Sequence, residues 1–445
     1  MKKTSLALAV AVGTLGLTLG NAANAAFIED STAKLDLRNF YFNNDIRDSD
    51  SPSNKEWGQA FQLNLQSGFT EGTVGFGVDA LGLLGVKLDS GSRTNKAGRS
   101  RTPGVLFPTD SDNSAVDEFS SLGLTGKIRV SKTIAQIGTL QPKLPVVVFN
   151  DGRLIPQTFE GAQITSNEID NLTLILGQLE HSKGRASSNT DSLAIAGAGA
   201  GADSNKFYYG GADYKINKDL LVQYYYGNLD DFYKQHFLGL THTLALGAGS
   251  LKSDLRYFDT GSDGKNGSVA GRADGYLGSG YYGNGVTTGE VDNRTWSAFF
   301  TYSLEGHALS AGYQQVSGDS NFIQLNQGSI PGQGGATTYL ITDRQITNFG
   351  RAGERTWITQ YGYDFGKIGV PGLTANVLYM KGDNIKAVGG DQKEWERDLT
   401  LSYVLQEGAL KGVGFAWRNA ALRSQTSSGD VDQNRLIVSY SIPLL

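Results

Sequence analysis

The sequence predicts an all-β chain, closed into a transmembrane antiparallel β-barrel of about 18 strands. Three observations predict it. Apolar and polar residues alternate in segment after segment, and short turns alternate with long polar loops. Beyond the N-terminus, no stretch approaches the roughly 18 consecutive apolar residues of a membrane-spanning helix.

The chain opens with Lys2 and Lys3, an apolar run over 6–19, and the small-x-small pattern Ala23-Asn24-Ala25. That is the pattern of a secretory leader, with cleavage expected after Ala25. The apolar run is too short for a spanning helix, and a polar, strand-like segment follows it. The rest, 26–445, reads as one domain with no composition break or proline-rich hinge.

In 32–42, Leu35, Leu37 and Tyr41 share one face, with Asp36 and Arg38 on the other. In 122–130, Leu122, Leu124, Ile128 and Val130 oppose Thr125, Lys127 and Arg129. The same period of two runs through Trp296, Ala298, Phe300, Tyr302 and Leu304, and again through Leu399, Leu401, Tyr403 and Leu405. Successive strand residues point to opposite sides, so each segment carries one apolar and one polar face.

A soluble sandwich would alternate in the same way, and the connections separate the two architectures. Long polar connections (43–55, 83–118, 141–158, 182–204, 259–292, 317–353 and 383–394) alternate with short ones (68–72, 131–133, 167–170, 216–218, 247–249, 305–307, 366–371 and 407–411). Long extracellular loops and short periplasmic turns are the asymmetry of outer-membrane barrels in Gram-negative bacteria. Tyr41, Trp57, Tyr302, Tyr361, Tyr363, Trp417 and Tyr440 fall near strand ends on the apolar face, where interfacial girdles form.

Composition narrows the function. Without Lys2 and Lys3, 37 basic residues face 44 acidic ones, a formal charge of −7. No basic surplus exists for phosphate backbones, which excludes nucleic acid as a partner. There is no cysteine, so an exported chain must be held without disulfides, as a closed sheet can be.

Four runs stand out: Asn150-Asp151-Gly152-Arg153-Leu154-Ile155-Pro156-Gln157-Thr158-Phe159-Glu160-Gly161, Leu37-Arg38-Asn39-Phe40-Tyr41-Phe42, Arg129-Val130-Ser131-Lys132-Thr133 and Gly369-Val370-Pro371-Gly372-Leu373-Thr374. They resemble motifs of the OprD (Occ) family of substrate-selective porins. The resemblance runs from about residue 27 to the C-terminus. It implies an eighteen-stranded barrel narrowed by inward loops, which takes up small carboxylate-bearing nutrients along a ladder of basic side chains. The carboxylate-transporting OccK-like branch is the one it suggests.

Strand parity puts Arg38, Lys127, Arg129, Lys252, Arg256 and Arg418 on the lumen face. A guanidinium in a narrow aqueous passage attracts a carboxylate and can hold it by paired hydrogen bonds. The plainer alternative is a solvated wall neutralised by Asp36, Asp79 and Asp254. Arg38, Arg129 and Arg418 also match the ladder that the resemblance implies. The stretch 144–149 is too apolar for an exposed loop tip, so loop 141–160 is expected to fold inward as the constriction. That puts Arg153 near the opening, with a structural ion pair as its competing role. Loop 317–353 carries Asn321 and Ala336 where channels for cationic amino acids carry acids, which favours substrates without an ammonium group.

Other chemistry is not supported. Gly278-Ser279-Gly280-Tyr281-Tyr282-Gly283 spells a dinucleotide string but lacks the strand and helix that would give it meaning. Asp48, Asp50, Asp110 and Asp112 lack calcium-loop spacing. His181, His236, His242 and His307 stand beside no nucleophile motif, so an outer-membrane hydrolase is disfavoured. The expectation is therefore a non-enzymatic channel with no cofactor and no metal, in contact with outer-membrane lipid and lipopolysaccharide, as a monomer or loose trimer. The open alternatives are a general diffusion porin and a basic-amino-acid or peptide channel of the same family.

Overall fold

The computed structural model describes residues 27–47, 53–91, 104–111, 114–280, 289–326, 335–426 and 428–445. The expected leader 1–25, Asp48, Asp50 and Asp112, and Tyr281–Gly283 lie outside them. Nineteen strands form one sheet. One of these, Thr190–Ser192, is a three-residue addition to the outer end of Leu172–Lys183. The other eighteen are the barrel wall, each antiparallel to its neighbours in sequence. The first strand, Thr32–Ile46, pairs with the last, Val431–Pro443, from Lys34↔Pro443 to Ile46↔Val431. Closure leaves no free edge, so every ladder hydrogen bond is made within the wall, as lipid requires.

The expected parity is what the wall displays. Leu122, Ile137 and Leu176 each expose more than 60 % of their surface on the outside, where lipid replaces water as the solvent for apolar groups. Rings cluster at both levels of this band. Tyr313 lies 5.4 Å from Trp296 and 4.8 Å from Trp357 near the outer ends. At the inner ends His307 packs 4.5 Å from Tyr363 and shares a 2.7 Å hydrogen bond with the Tyr361 hydroxyl.

Two expectations shift. Strand Val74–Gly91 runs nine residues into what reads as loop, because the alternation of 83–88 continues. The outer connection between Leu220–Leu229 and Tyr233–Leu246 is only three residues long, with Asp231 at φ 69°.

The lumen is not evenly filled. Leu144, Val146 and Val147 from loop 141–157 enter a buried apolar cluster with Phe207, Tyr225 and Phe237 of the wall and Phe322 and Leu325 of an outer loop. A second cluster joins Leu154 and Ile155 of the same loop to Phe40, Phe42, Phe107 and Phe119. The loop thus bridges the lumen and is pinned at both sides. Glycines make room for both anchors. A Cβ on Gly58 would lie 2.7 Å from the Leu154 side chain, and one on Gly227 would lie 3.0 Å from Val146. These plugs leave the larger open space along one arc, formed by the first strand and the last five, with a smaller cavity of about 270 Å³ among Asn64, Asp79, Thr125 and Gln136.

Candidate functional site

Along that arc lies a cavity of about 710 Å³. Strands Gly414–Ser424 and Val431–Pro443 supply Arg418 and Arg435 to its lining. Loop 141–157 supplies Asp151 and Arg153, the segment after Leu172–Lys183 supplies Arg185, and the loop before Arg355–Asp364 supplies Asp343 and Arg344. Neutral groups from the wall, Gln360, Asn376 and Thr400, complete it beside Leu378 and Asp398.

Register explains why the arginines meet. Arg418 and Arg435 are direct cross-strand partners, and Arg435 is in turn opposite Phe42. Arg153 sits over the Phe42 ring at 5.0 Å. Three guanidiniums therefore share one level of the wall. Like charges directly opposite each other in a sheet are destabilising unless something lies between them. Among the described residues no carboxylate lies within 4 Å of Arg153, Arg344, Arg418 or Arg435. The Arg435 guanidinium donates to Gln433 Oε1 at 2.7 Å and to the Gln345 carbonyl. No hydrogen bond engages the Arg418 guanidinium among the described residues, and it is exposed to the lumen.

The inward loop 335–354 is fastened from several strands. Glu396 accepts from the Ile346 and Thr347 amides, each at 3.0 Å. Gln314 donates to Thr342 Oγ1 at 2.7 Å and to the Phe349 carbonyl at 3.1 Å. Within the loop, Asp343 accepts from the Thr338 amide and hydroxyl at 2.6 and 2.8 Å. Burial raises the Asp343 carboxyl above its ordinary range, against the pull of the Thr338 bonds and of Arg344 and Arg185. Burial pulls Arg153 down to about 10, opposed by Glu56, so it stays charged at neutral pH. Arg185 is lowered by burial and by the neighbouring charge of Arg153, and Arg344 by burial.

A second cavity, about 490 Å³, lies toward the short-turn end and is lined by Arg38, Asp36, Gln62 and Ser441. Asp151 lines both cavities. It holds Arg38 by two bonds, 2.8 and 3.0 Å, while Arg38 also donates to the Arg153 carbonyl at 2.8 Å. The ion pair thus stands between the two spaces. Pairs this exposed contribute only about 0–1 kcal/mol to stability. Asp151→Asn is therefore expected to leave thermal stability unchanged while freeing Arg38 to hold passing anions. Single-channel blockades by small acids should lengthen several-fold, and unchanged dwell times would reduce the pair to a brace.

Residues 25–444 match the model for outer membrane porins of the OprD family. The chain belongs to this family. Among curated relatives, Porin D of Pseudomonas aeruginosa is 34% identical over 470 residues, covering 100% of this chain and 99% of that protein. The porin-like protein GalP of Pseudomonas putida is 36% identical over 422 residues, covering 94% and 93%. The crystal structure of Pseudomonas aeruginosa OccK8 (OprE) superposes with a TM-score of 0.87 at 61% identity, covering 95% of this chain and all of that one. That of Pseudomonas aeruginosa OpdK with vanillate gives 0.81 at 34%, covering 94% and 100%. This OprD-family porin is an eighteen-stranded outer-membrane channel, not an enzyme.

The residues singled out by parity divide within that porin frame. Arg418 and Arg153 line the central cavity, and Arg38 lines the inner one. Lys127 faces inward but pairs with Asp79 at 2.6 Å and donates to the Ser67 carbonyl. Arg129 lies over the Phe69 ring at 4.5 Å. Arg256 is held by Asp254 at 2.6 and 2.8 Å and stacks on Tyr339, whose carbonyl accepts its Nη1 proton. None of these three is among the residues lining the central cavity. Parity reasoning passed over Arg435, although Leu436, Val438 and Tyr440 mark the outward face of its strand. Arg185 and Arg344 sit in loops, which have no period to read.

Proposed function

We propose that this porin admits small carboxylate-bearing solutes selectively, through the arginine-lined passage along the first strand and the last five. The observation that carries this is the Arg418–Arg435 pair, two cross-strand cations with no carboxylate within 4 Å among the described residues. Several modest anion sites in series, Arg418 and Arg435 followed by Arg38, suit a channel that must release what it binds. A relative solved with vanillate, itself a carboxylate, supports the reading. The mature chain would begin after Ala25, with its outer band in lipid and lipopolysaccharide, as a monomer or loose trimer.

The test is single-channel current in a planar bilayer with benzoate, arginine and a neutral sugar added in turn. Benzoate should saturate, and Arg418→Ala should weaken it about tenfold, the scale of one charge-assisted hydrogen-bonded contact. Passage of all three in proportion to size, without saturation, would make this a general diffusion porin.

A further inference from the structure

The central cavity holds more positive charge than one carboxylate can answer. Five guanidiniums line it, those of Arg153, Arg185, Arg344, Arg418 and Arg435, against the carboxylates of Asp151, Asp343 and Asp398. Two of those three carboxylates are already committed. Asp151 is taken by Arg38, and Asp343 is turned back onto Thr338. The formal excess on the lining is +2, and it lies on side chains of different elements. Arg418 and Arg435 stand side by side on the wall, whereas Arg344 belongs to the inward loop, its guanidinium 5.9 Å from the Phe299 ring and in no side-chain hydrogen bond or ion pair among the described residues. A monocarboxylate would neutralise one charge and leave the other guanidiniums facing each other across a confined space.

Resting on the carboxylate reading above, we propose that the preferred solutes carry two or more separated carboxylates. One carboxylate bridges Arg418 and Arg435. The second reaches Arg344 on the loop. Two charges spaced along a short carbon chain answer the excess at both places, which a single compact anion cannot do. Arg344 then acts as the specificity-determining residue, distinguishing diacids from monoacids, while Arg418 serves both.

The test compares glutarate with valerate, acids of equal chain length that differ by one carboxylate, alongside inorganic phosphate and a neutral sugar. The readout is the concentration giving half-maximal blockade of single-channel current. Glutarate should act at about a tenth of the valerate concentration or less, the gain of one further charge-assisted contact. Arg344→Gln should weaken both acids through the lost cavity charge, but glutarate about fivefold more than valerate, bringing the two to within about twofold of each other. Equal constants for glutarate and valerate, both saturable, would overturn the diacid proposal and leave the carboxylate reading standing. Phosphate matching glutarate would overturn it as well, because charge alone would then suffice. If neither acid saturates while the sugar passes equally well, the carboxylate reading itself fails. The wild-type comparison needs no variant, so a folding defect cannot obscure it.

Discussion

Replacing Leu154 and Ile155 together by aspartate is expected to raise open-channel conductance several-fold and to abolish saturation by small acids. Both side chains are fully buried against Phe40, Phe42 and Phe107. Truncating either to alanine would cost about 2–5 kcal/mol, and an unpaired buried carboxylate costs more. Every 1.4 kcal/mol is about a tenfold change in an equilibrium, so the double substitution undocks this side of the loop almost completely. The wall itself keeps its ladders, because neither residue belongs to a barrel strand, and the resistance of the barrel to heat should survive. The loop also carries Asp151 and Arg153, so undocking removes charge from the passage while widening it. Unchanged conductance in a planar bilayer would mean that loop 141–157 does not set the narrowest point.

The second large effect concerns sign. Arg344→Glu combined with Arg418→Glu takes the formal charge of the cavity lining from +2 to −2. A unit charge about 8 Å from a passing ion, at an effective dielectric near 20, is worth about 2 kcal/mol. A change of four charges therefore outweighs every other preference in the passage. Under a potassium chloride gradient the reversal potential should change from the anion-selective to the cation-selective sign. Arg418 is exposed to lumen water and Arg344 lies on the inward loop rather than in a barrel strand, so the barrel should tolerate glutamate at both. Unaltered ion selectivity would show that current flows by another route, and the assignment of this arc as the passage would fall.

How much of this was legible in the sequence depends on periodicity. Strand number, closure, the lipid face and the inward direction of Arg38 and Arg418 all follow from a period of two, which survives in any single sequence. The inward fold of loop 141–157 was legible too, because Leu144, Val146 and Val147 are too apolar for a wetted tip. Parity gives direction but not company. Lys127 and Arg256 point inward as expected, yet Asp79 and Asp254 already hold them, and only register shows that Arg418 and Arg435 share a rung. Loop positions are the least legible. Asn321 and Ala336 are the positions the sequence draws attention to in loop 317–353, whereas it is Asp343 and Arg344 of the same loop that line the cavity beside Ala336. Their placement depends on anchors such as Glu396, about fifty residues away in sequence.

The seam between first and last strands also has a consequence for the site. Arg435 takes its place beside Phe42 only when the C-terminal strand meets the N-terminal one. The seam therefore does more than close the wall: it sets Arg435 opposite Phe42, the ring under Arg153, so the closure that removes the sheet's edge also completes the level at which the three guanidiniums meet.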